Sequence, residues 1–373
     1  MKKKLIIPLK LAAYLAAFAV ICAAIYGTAF FLRNYESHKS FTAGNTFFTC
    51  KVSQLPESVT ALYICPFSSK ETCVYNAEYW EQGSACLLMD KPLTDRDISA
   101  LSKISAEKVH IRDVDKSLTD LSFLSKINGL KNLAITAYHL NGADVGKSID
   151  FSNGFSELEQ LQIITFTKKF SGIESLTSLK RLTLPMNPEL TELPDLTRMT
   201  ELEVLDISGT SVSDLSPISE CKKLRELYIY DTDISDISVL TPMTDLEILN
   251  AAQHHDHSKE NLISDISALA NKPKLREIDL YCTDVSDITP LSSCKALEAV
   301  RLAGTAVSDI TPLSSCKALE SVGLSDTPIT TLAPLMNCPK LCSVRINNCD
   351  NLTYSQVEEF DKWYQSLDHD VYY

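Results

Sequence analysis

Residues 275–296 read LREIDLYCTDVSDITPLSSCKA, and residues 297–318 read LEAVRLAGTAVSDITPLSSCKA. The last twelve letters of the two stretches are identical, and the second stretch starts where the first ends, 22 residues on. A fixed period of this length marks a supersecondary unit stacked on copies of itself. One apolar position carries the period outward. It falls at Val109, Leu133, Leu161, Leu182, Leu205, Leu227, Leu249, Ile278, Val300, Val322 and Val344, which makes eleven units. The spacing stretches to 29 between Leu249 and Ile278, and to 24 and 28 at the N-terminal end.

Within a unit, parity along the strand assigns the two faces. In Leu202-Glu-Val-Leu205-Asp-Ile207, Leu205 and Ile207 lie two apart and share one face of a strand, so Val204, Asp206 and Ser208 face the other way. One such unit cannot bury its apolar face alone, and stacking makes the core continuous. Thr recurs five residues after the marker, at Thr210, Thr232, Thr283, Thr305 and Thr327, where Asn187 also falls. These side chains can bond backbone groups left unpaired as the chain leaves the strand. Asp214, Asp236, Asp287 and Asp309 follow, with Pro217, Pro290 and Pro312 three residues further on. An acidic cap and an early Pro predict the first turn of a short helix.

The pattern L-x-x-L-x-L-x-x-T-x-[VI]-S-D-[IL] resembles the leucine-rich repeat, in the 22-residue form of bacterial internalins and of a eukaryotic phosphatase-regulator class. The resemblance covers residues 96–352 and implies an α/β, mostly parallel-β solenoid. It places a curved sheet on the concave face and short 3-10 or irregular turns on the convex face. It further implies recognition of a protein by the concave face. The chain departs from internalins in two respects: the helical N-terminal cap is not recognisable, and no sorting tail follows the repeats.

The remainder of the chain reads as appendages to that solenoid. Lys2, Lys3, Lys4 and Lys10 precede a run without charge over residues 11–32. That run is long enough to cross a bilayer, and the flanking charge predicts a cytoplasmic tail at 1–10 and repeats outside, a single-pass signal anchor. The rival reading is a cleaved signal peptide, with Gly27 and Ala29 near the cut. Ala19–Cys22 only weakly resembles a lipoprotein box. Residues 33–95 hold Cys50, Cys65, Cys73 and Cys86, and read as a linker and N-terminal cap whose disulfide pairing the sequence does not choose. Val59, Leu62 and Ile64 share the repeat's strand spacing, as a degenerate first unit would. At the other end, residues 353–373 predict a cap helix. Val357, Phe360, Trp363 or Tyr364, and Leu367 form its apolar face, with Ser355 and Glu358 as a capping box.

Cys221, Cys294, Cys316 and Cys338 occupy a slot that Leu176, Met199 and Met243 fill in other units, so they read as small buried hydrophobes. Cys342 and Cys349 near the last strand could be reactive, and read at least as well as an end-cap pair. The long unit holds seven extra residues, with His254, His255, Asp256 and His257 among them. Imidazoles at this spacing could take zinc or copper, yet no fourth ligand is evident, and a polar loop is the plainer reading. No phosphate-cradling glycine loop, nucleophile elbow or His-Glu-x-x-His motif occurs, so the chain does not read as an enzyme and no cofactor is expected. A net charge of −13 argues against a nucleic-acid partner.

The outward strand positions are therefore the candidate working surface. Tyr228, Tyr230 and Tyr281 predict an aromatic cluster, with Asp206 and Asp279 in the same rows. Small Ala299, Ala303, Gly323 and Ser325 predict a trough beside it, bracketed by Arg301 and Arg345. Tyr and Arg are the residue types enriched at binding hot spots. The expectation is a membrane-anchored, surface-exposed binding protein that takes a protein, or else a glycan. The alternatives are an intracellular scaffold for an enzyme, and a metal-dependent enzyme using the His loop or residues 33–95.

Overall fold

The structure, a computed structural model, describes residues 41–43, 46–49, 51–66, 82, 84–89, 94–112, 122–136, 150–164, 170–254 and 263–367. The chain divides into two compact units, Met1–Leu118 with Ile127–Gly129, and Thr119–Lys126 with Leu130–Tyr373. Among the described residues no helix is long and apolar enough to cross a membrane. Residues 1–10 and the expected anchor at 11–32 lie outside them, as do Cys50, Cys73, His255 and His257.

In the first unit, β1 (Phe41–Ala43) pairs antiparallel with β2 (Thr46–Thr49). β3 (Ser58–Pro66), β4 (Ser84–Met89) and β5 (Ser105–Arg112) are parallel, but β4 lies between β2 and β3. That crossover distinguishes this unit from a simple run of stacked repeats. The repeat spacing nevertheless survives in it, since Leu62 pairs with Val109 and Ile64 with Ile111, all four buried. Cys65 and Cys86 are buried on β3 and β4. The short helix α1 (Asp95–Leu101) precedes β5, started by a capping box between Thr94 and Asp97.

The second unit holds ten parallel strands in chain order. They are β6 (Asn132–Thr136), β7 (Gln160–Ile164), β8 (Arg181–Thr183), β9 (Val204–Asp206), β10 (Glu226–Tyr228), β11 (Ile248–Asn250), β12 (Glu277–Asp279), β13 (Ala299–Arg301), β14 (Ser321–Gly323) and β15 (Ser343–Arg345). The marker residues are in register from strand to strand: Leu133, Leu161, Leu182, Leu205, Leu227, Leu249, Ile278, Val300, Val322 and Val344 each pair with the next. All but Val344, at the end of the row, are buried. A fully buried side chain of this kind contributes roughly 1.5–3 kcal/mol, so the row is a continuous source of stability.

Each strand continues its pairing past its regular part. Ile207 and Gly209 donate N–H to Tyr228 and Tyr230 carbonyls, and Leu280 and Cys282 do the same to Arg301 and Ala303. Four residues after the marker the backbone then turns left-handed, at Met186, Gly209, Asp231, Cys282, Gly304, Asp326 and Asn348. Gln253 stands in this slot in the long unit and does not share that conformation. The following Thr is buried, and its hydroxyl donates to the carbonyl three residues back, as Thr210 does to Ile207 at 2.7 Å and Thr283 to Leu280 at 2.8 Å.

Short 3-10 helices return the chain on the other side, including Ser216–Ile218, Thr289–Ser293, Thr311–Ser315 and Ala333–Asn337. The preceding acid does not sit at the cap position itself. Asp214, Asp236, Asp287 and Asp309 lie one residue earlier and accept the N–H of Ser216, Ser238, Thr289 and Thr311 at 2.7–2.8 Å. The hydroxyl of that Ser or Thr and its N–H, with the N–H foremost only at Asp236, hold these exposed carboxyls below the usual carboxylate range.

Cys221, Cys294, Cys316 and Cys338 are wholly buried, each with its Sγ against a carbonyl 25 residues earlier. Lys272 occupies the same slot in the long unit, a residue that the apolar reading of the slot overlooks. It is fully buried, and its ammonium donates to the Leu240 and Thr241 carbonyls at 2.7 and 2.8 Å, at the end of the 3-10 helix Ser238–Leu240.

Helix α2 (Tyr354–Gln365) closes the chain against the 3-10 helix Ala333–Asn337. Its capping box is Thr353 with Gln356, two residues before the expected Ser355 and Glu358. Glu358 instead pairs with Lys362 at 2.8 Å. Of its expected apolar face only Phe360 is buried, with Trp363 and Tyr364 packed on its ring. Cys342 and Cys349 are unpaired: Cys342 is exposed, and Cys349 is buried with its thiol donating to the Leu324 carbonyl.

Candidate binding surface

The register of β8–β15 arranges the outward side chains in three rows. The first runs Arg181, Val204, Glu226, Ile248, Glu277, Ala299, Ser321, Ser343. The second runs Thr183, Asp206, Tyr228, Asn250, Asp279, Arg301, Gly323, Arg345. The third lies two residues further along each strand and includes Tyr230, Ala252, Tyr281, Ala303, Ser325 and Asn347. Val204 and Ile248 are buried although they point outward. Alternation assigns a side but not an exposure, and here each apolar side chain has longer charged neighbours beside it in the row.

Tyr228 and Tyr230 belong to the β10 segment and Tyr281 to the β12 segment, so the strand carrying Asn250 and Ala252 separates them. Tyr228 is half-buried and donates its hydroxyl to Glu226 at 3.2 Å. Burial, with the Glu226 charge beside it, pushes its phenol above the ordinary tyrosine range. Tyr230 stands beside His254, with ring centroids 6.4 Å apart. Among the described residues no group of three His, Cys, Asp or Glu side chains could hold a metal ion. Asp206 accepts the N–H of Ser208 at 3.0 Å, a local turn bond.

Tyr230 and Tyr281 lie at one end of a trough of about 780 Å³. Its lining continues through Asn250, Ala252, Asp279, Arg301 and Ala303 to Gly323, Ser325, Asp326, Arg345 and Asn347. Tyr228 and Asp206 are outside it. Asp279 accepts the N–H of Tyr281 at 3.1 Å and faces Arg301 at 3.4 Å, while Arg301 also pairs with Glu277 at 2.8 Å. Burial raises the Asp279 carboxyl, against the opposing pull of the Tyr281 N–H and Arg301. The two arginines that bracket the trough are thus unlike. Arg301 is neutralised by two carboxylates of the preceding strand, while Arg345 is exposed with no ion pair among the described residues.

Gly323 sits in the second row between these arginines. Its backbone is not left-handed, and a Cβ there would make only ordinary contact, 3.9 Å from the Arg301 Cα. Glycine inside a strand weakens it, and no backbone constraint requires one here. What its missing side chain does is deepen the trough between Arg301 and Arg345.

A register-locked parallel sheet with 3-10 returns and a buried Thr row is the leucine-rich-repeat fold. Residues 200–242 match the family described as Leucine Rich repeats (2 copies). No curated protein matches the chain. Among solved structures, an internalin (InlF) from Listeria monocytogenes is similar at a TM-score of 0.57 and 17% identity, over 75% of this chain and 81% of that one. The structure of the mouse RP105/MD-1 complex is similar at 0.56 and 18%, over 85% of this chain and 53% of that one. At these identities the likeness is one of fold.

Proposed function

We propose that this chain is a binding protein that docks a partner protein on the outward face of β10–β15, centred on the trough. One observation carries the reading. Where the outward rows cross the last strands, small residues leave an open, polar trough flanked by two tyrosines and by an arginine with no ion pair among the described residues. Leucine-rich-repeat proteins commonly bind proteins, and the residue types match those of interface hot spots. The four lysines before the uncharged run at 11–32 support a membrane-anchored chain with its repeats outside. Protease added to intact cells should then remove the repeat domain, and a protected domain would favour the cytosolic scaffold.

The docking test is the triple substitution Tyr228→Ala, Tyr230→Ala and Tyr281→Ala in the full chain. All three are outward, so the melting temperature should shift little, while crosslinked capture of the partner should fall by about tenfold or more. Undiminished capture by the folded triple variant would remove the reading.

A further inference from the structure

We infer that the trough reads a singly charged acidic side chain of the partner protein, received by Arg345 over the floor made by Gly323 and Ser325. This rests on the docking reading above and specifies its chemistry.

Several polar groups of the trough are already engaged. Both Asp279 oxygens are taken, one by the Tyr281 N–H and the other by Arg301. Asn250 accepts the N–H of Ala252 with its side-chain oxygen at 3.3 Å, and Asp326 accepts the Asn348 amide at 2.8 Å. Asp279 and the Asn250 oxygen are therefore engaged within the sheet, and Asp326 is engaged through one of its oxygens. The charged donor that stays open is the Arg345 guanidinium, which favours an acceptor group on the ligand.

Charge then fixes the size of that group. The lining carries Asp279 and Asp326 against Arg301 and Arg345, and it is balanced overall. Arg301 is committed to Glu277 and Asp279, so one guanidinium is open. A carboxylate matches a single planar guanidinium bidentately. A dianionic phosphate would keep an excess charge facing Asp326, with no second open cation to offset it. Glycine at 323 supplies access, because any side chain there would stand in the second row directly beside Arg345. The tyrosines at the opposite end leave room for an apolar neighbour of the acidic residue.

The test is selection of random short peptides displayed on phage, using the full chain as bait in three forms: wild type, Arg345→Glu and Lys295→Glu. Lys295 is exposed and outside the trough, and its reversal changes net charge equally. Peptides selected by wild type and by Lys295→Glu should be enriched in Asp or Glu. Arg345→Glu should bind those peptides about tenfold or more weaker, as expected for losing a charge-assisted contact. Wild-type selection without acidic enrichment, or no selection at all, overturns the inference. So does equal binding by Arg345→Glu, or an Arg345-dependent glycan signal without acidic peptides. Loss of natural-partner capture in the tyrosine variant together with an unaffected Arg345→Glu would discard the acidic specificity and leave the docking surface standing.

Discussion

Residues 275–296 and 297–318 are twins in most of what builds the solenoid and strangers on the outward face of their strands. Each has a buried Leu, an aliphatic strand marker, a buried Thr and a 3-10 helix, Thr289–Ser293 or Thr311–Ser315. Each opens that helix with an Asp accepting a Thr N–H at 2.8 Å. Yet the first presents Glu277, Asp279 and Tyr281 outward, and the second presents Ala299, Arg301 and Ala303. The strands even complement each other, since Arg301 of the second pairs with Glu277 and Asp279 of the first. Scaffold and surface are thus separable. Most of the divergent residues lie outside the core, with Ile278 against Val300 and the left-handed Cys282 against Gly304 as the exceptions.

Equivalence in the core is the part most open to attack. Leu291→Ala and Leu313→Ala remove the same fully buried side chain from the two twins. Each should cost about 2–5 kcal/mol, with similar midpoints in urea unfolding. A cost confined to one twin would mean that the two slots are not the same environment.

The left-handed slot sharpens the comparison, because here the twins differ inside the scaffold. Cys282 has φ 56° and Gly304 φ 73°, and a Cβ on Gly304 would come within 2.8 Å of the Cys282 Sγ. Gly304→Ala should destabilise by about 1–2 kcal/mol from the backbone alone. Cys282→Gly should recover up to about 1 kcal/mol, read as a higher melting temperature. A neutral Gly304→Ala would show that neighbouring units yield to each other.

The smallest expected difference lies in alkaline melting. Burial pushes the thiols of Cys221 and Cys338 up to about 11, and raises those of Cys294 and Cys316. An unfolded thiol releases its proton near 9.0, while the folded one keeps it. Between these values the folded state binds more protons, so its stability falls as pH rises. The melting temperature should therefore decline from about pH 9 upward. Cys221→Ala and Cys338→Ala should each blunt the decline, and an unchanged decline in both would contradict this account of the slot.

Period and parity carried the marker row, the buried Thr row and the core cysteines, because each is a side-chain type repeated at a spacing. The miscounted features are singular ones. Lys272 lies in a core slot because two orphaned carbonyls at the end of a 3-10 helix receive its ammonium, a satisfaction invisible to hydrophobic pattern. The cap of α2 moved to Thr353 because Gln356 also reaches the Thr330 carbonyl of the preceding unit. The tyrosines looked like one cluster until β11 was placed between them.

The amino-acid sequence alone determined which residues face the core and which face outward, since a strand's parity and a repeated spacing are local properties of the chain. Only the tertiary structure decided how the outward residues use one another. Arg301 and Arg345 are indistinguishable as letters, and they differ because one strand brings carboxylates beside the first and none of the described strands does so for the second. Whether a charge is spent within the protein or remains for a partner depends on distances across strands, and those exist only once the chain is stacked.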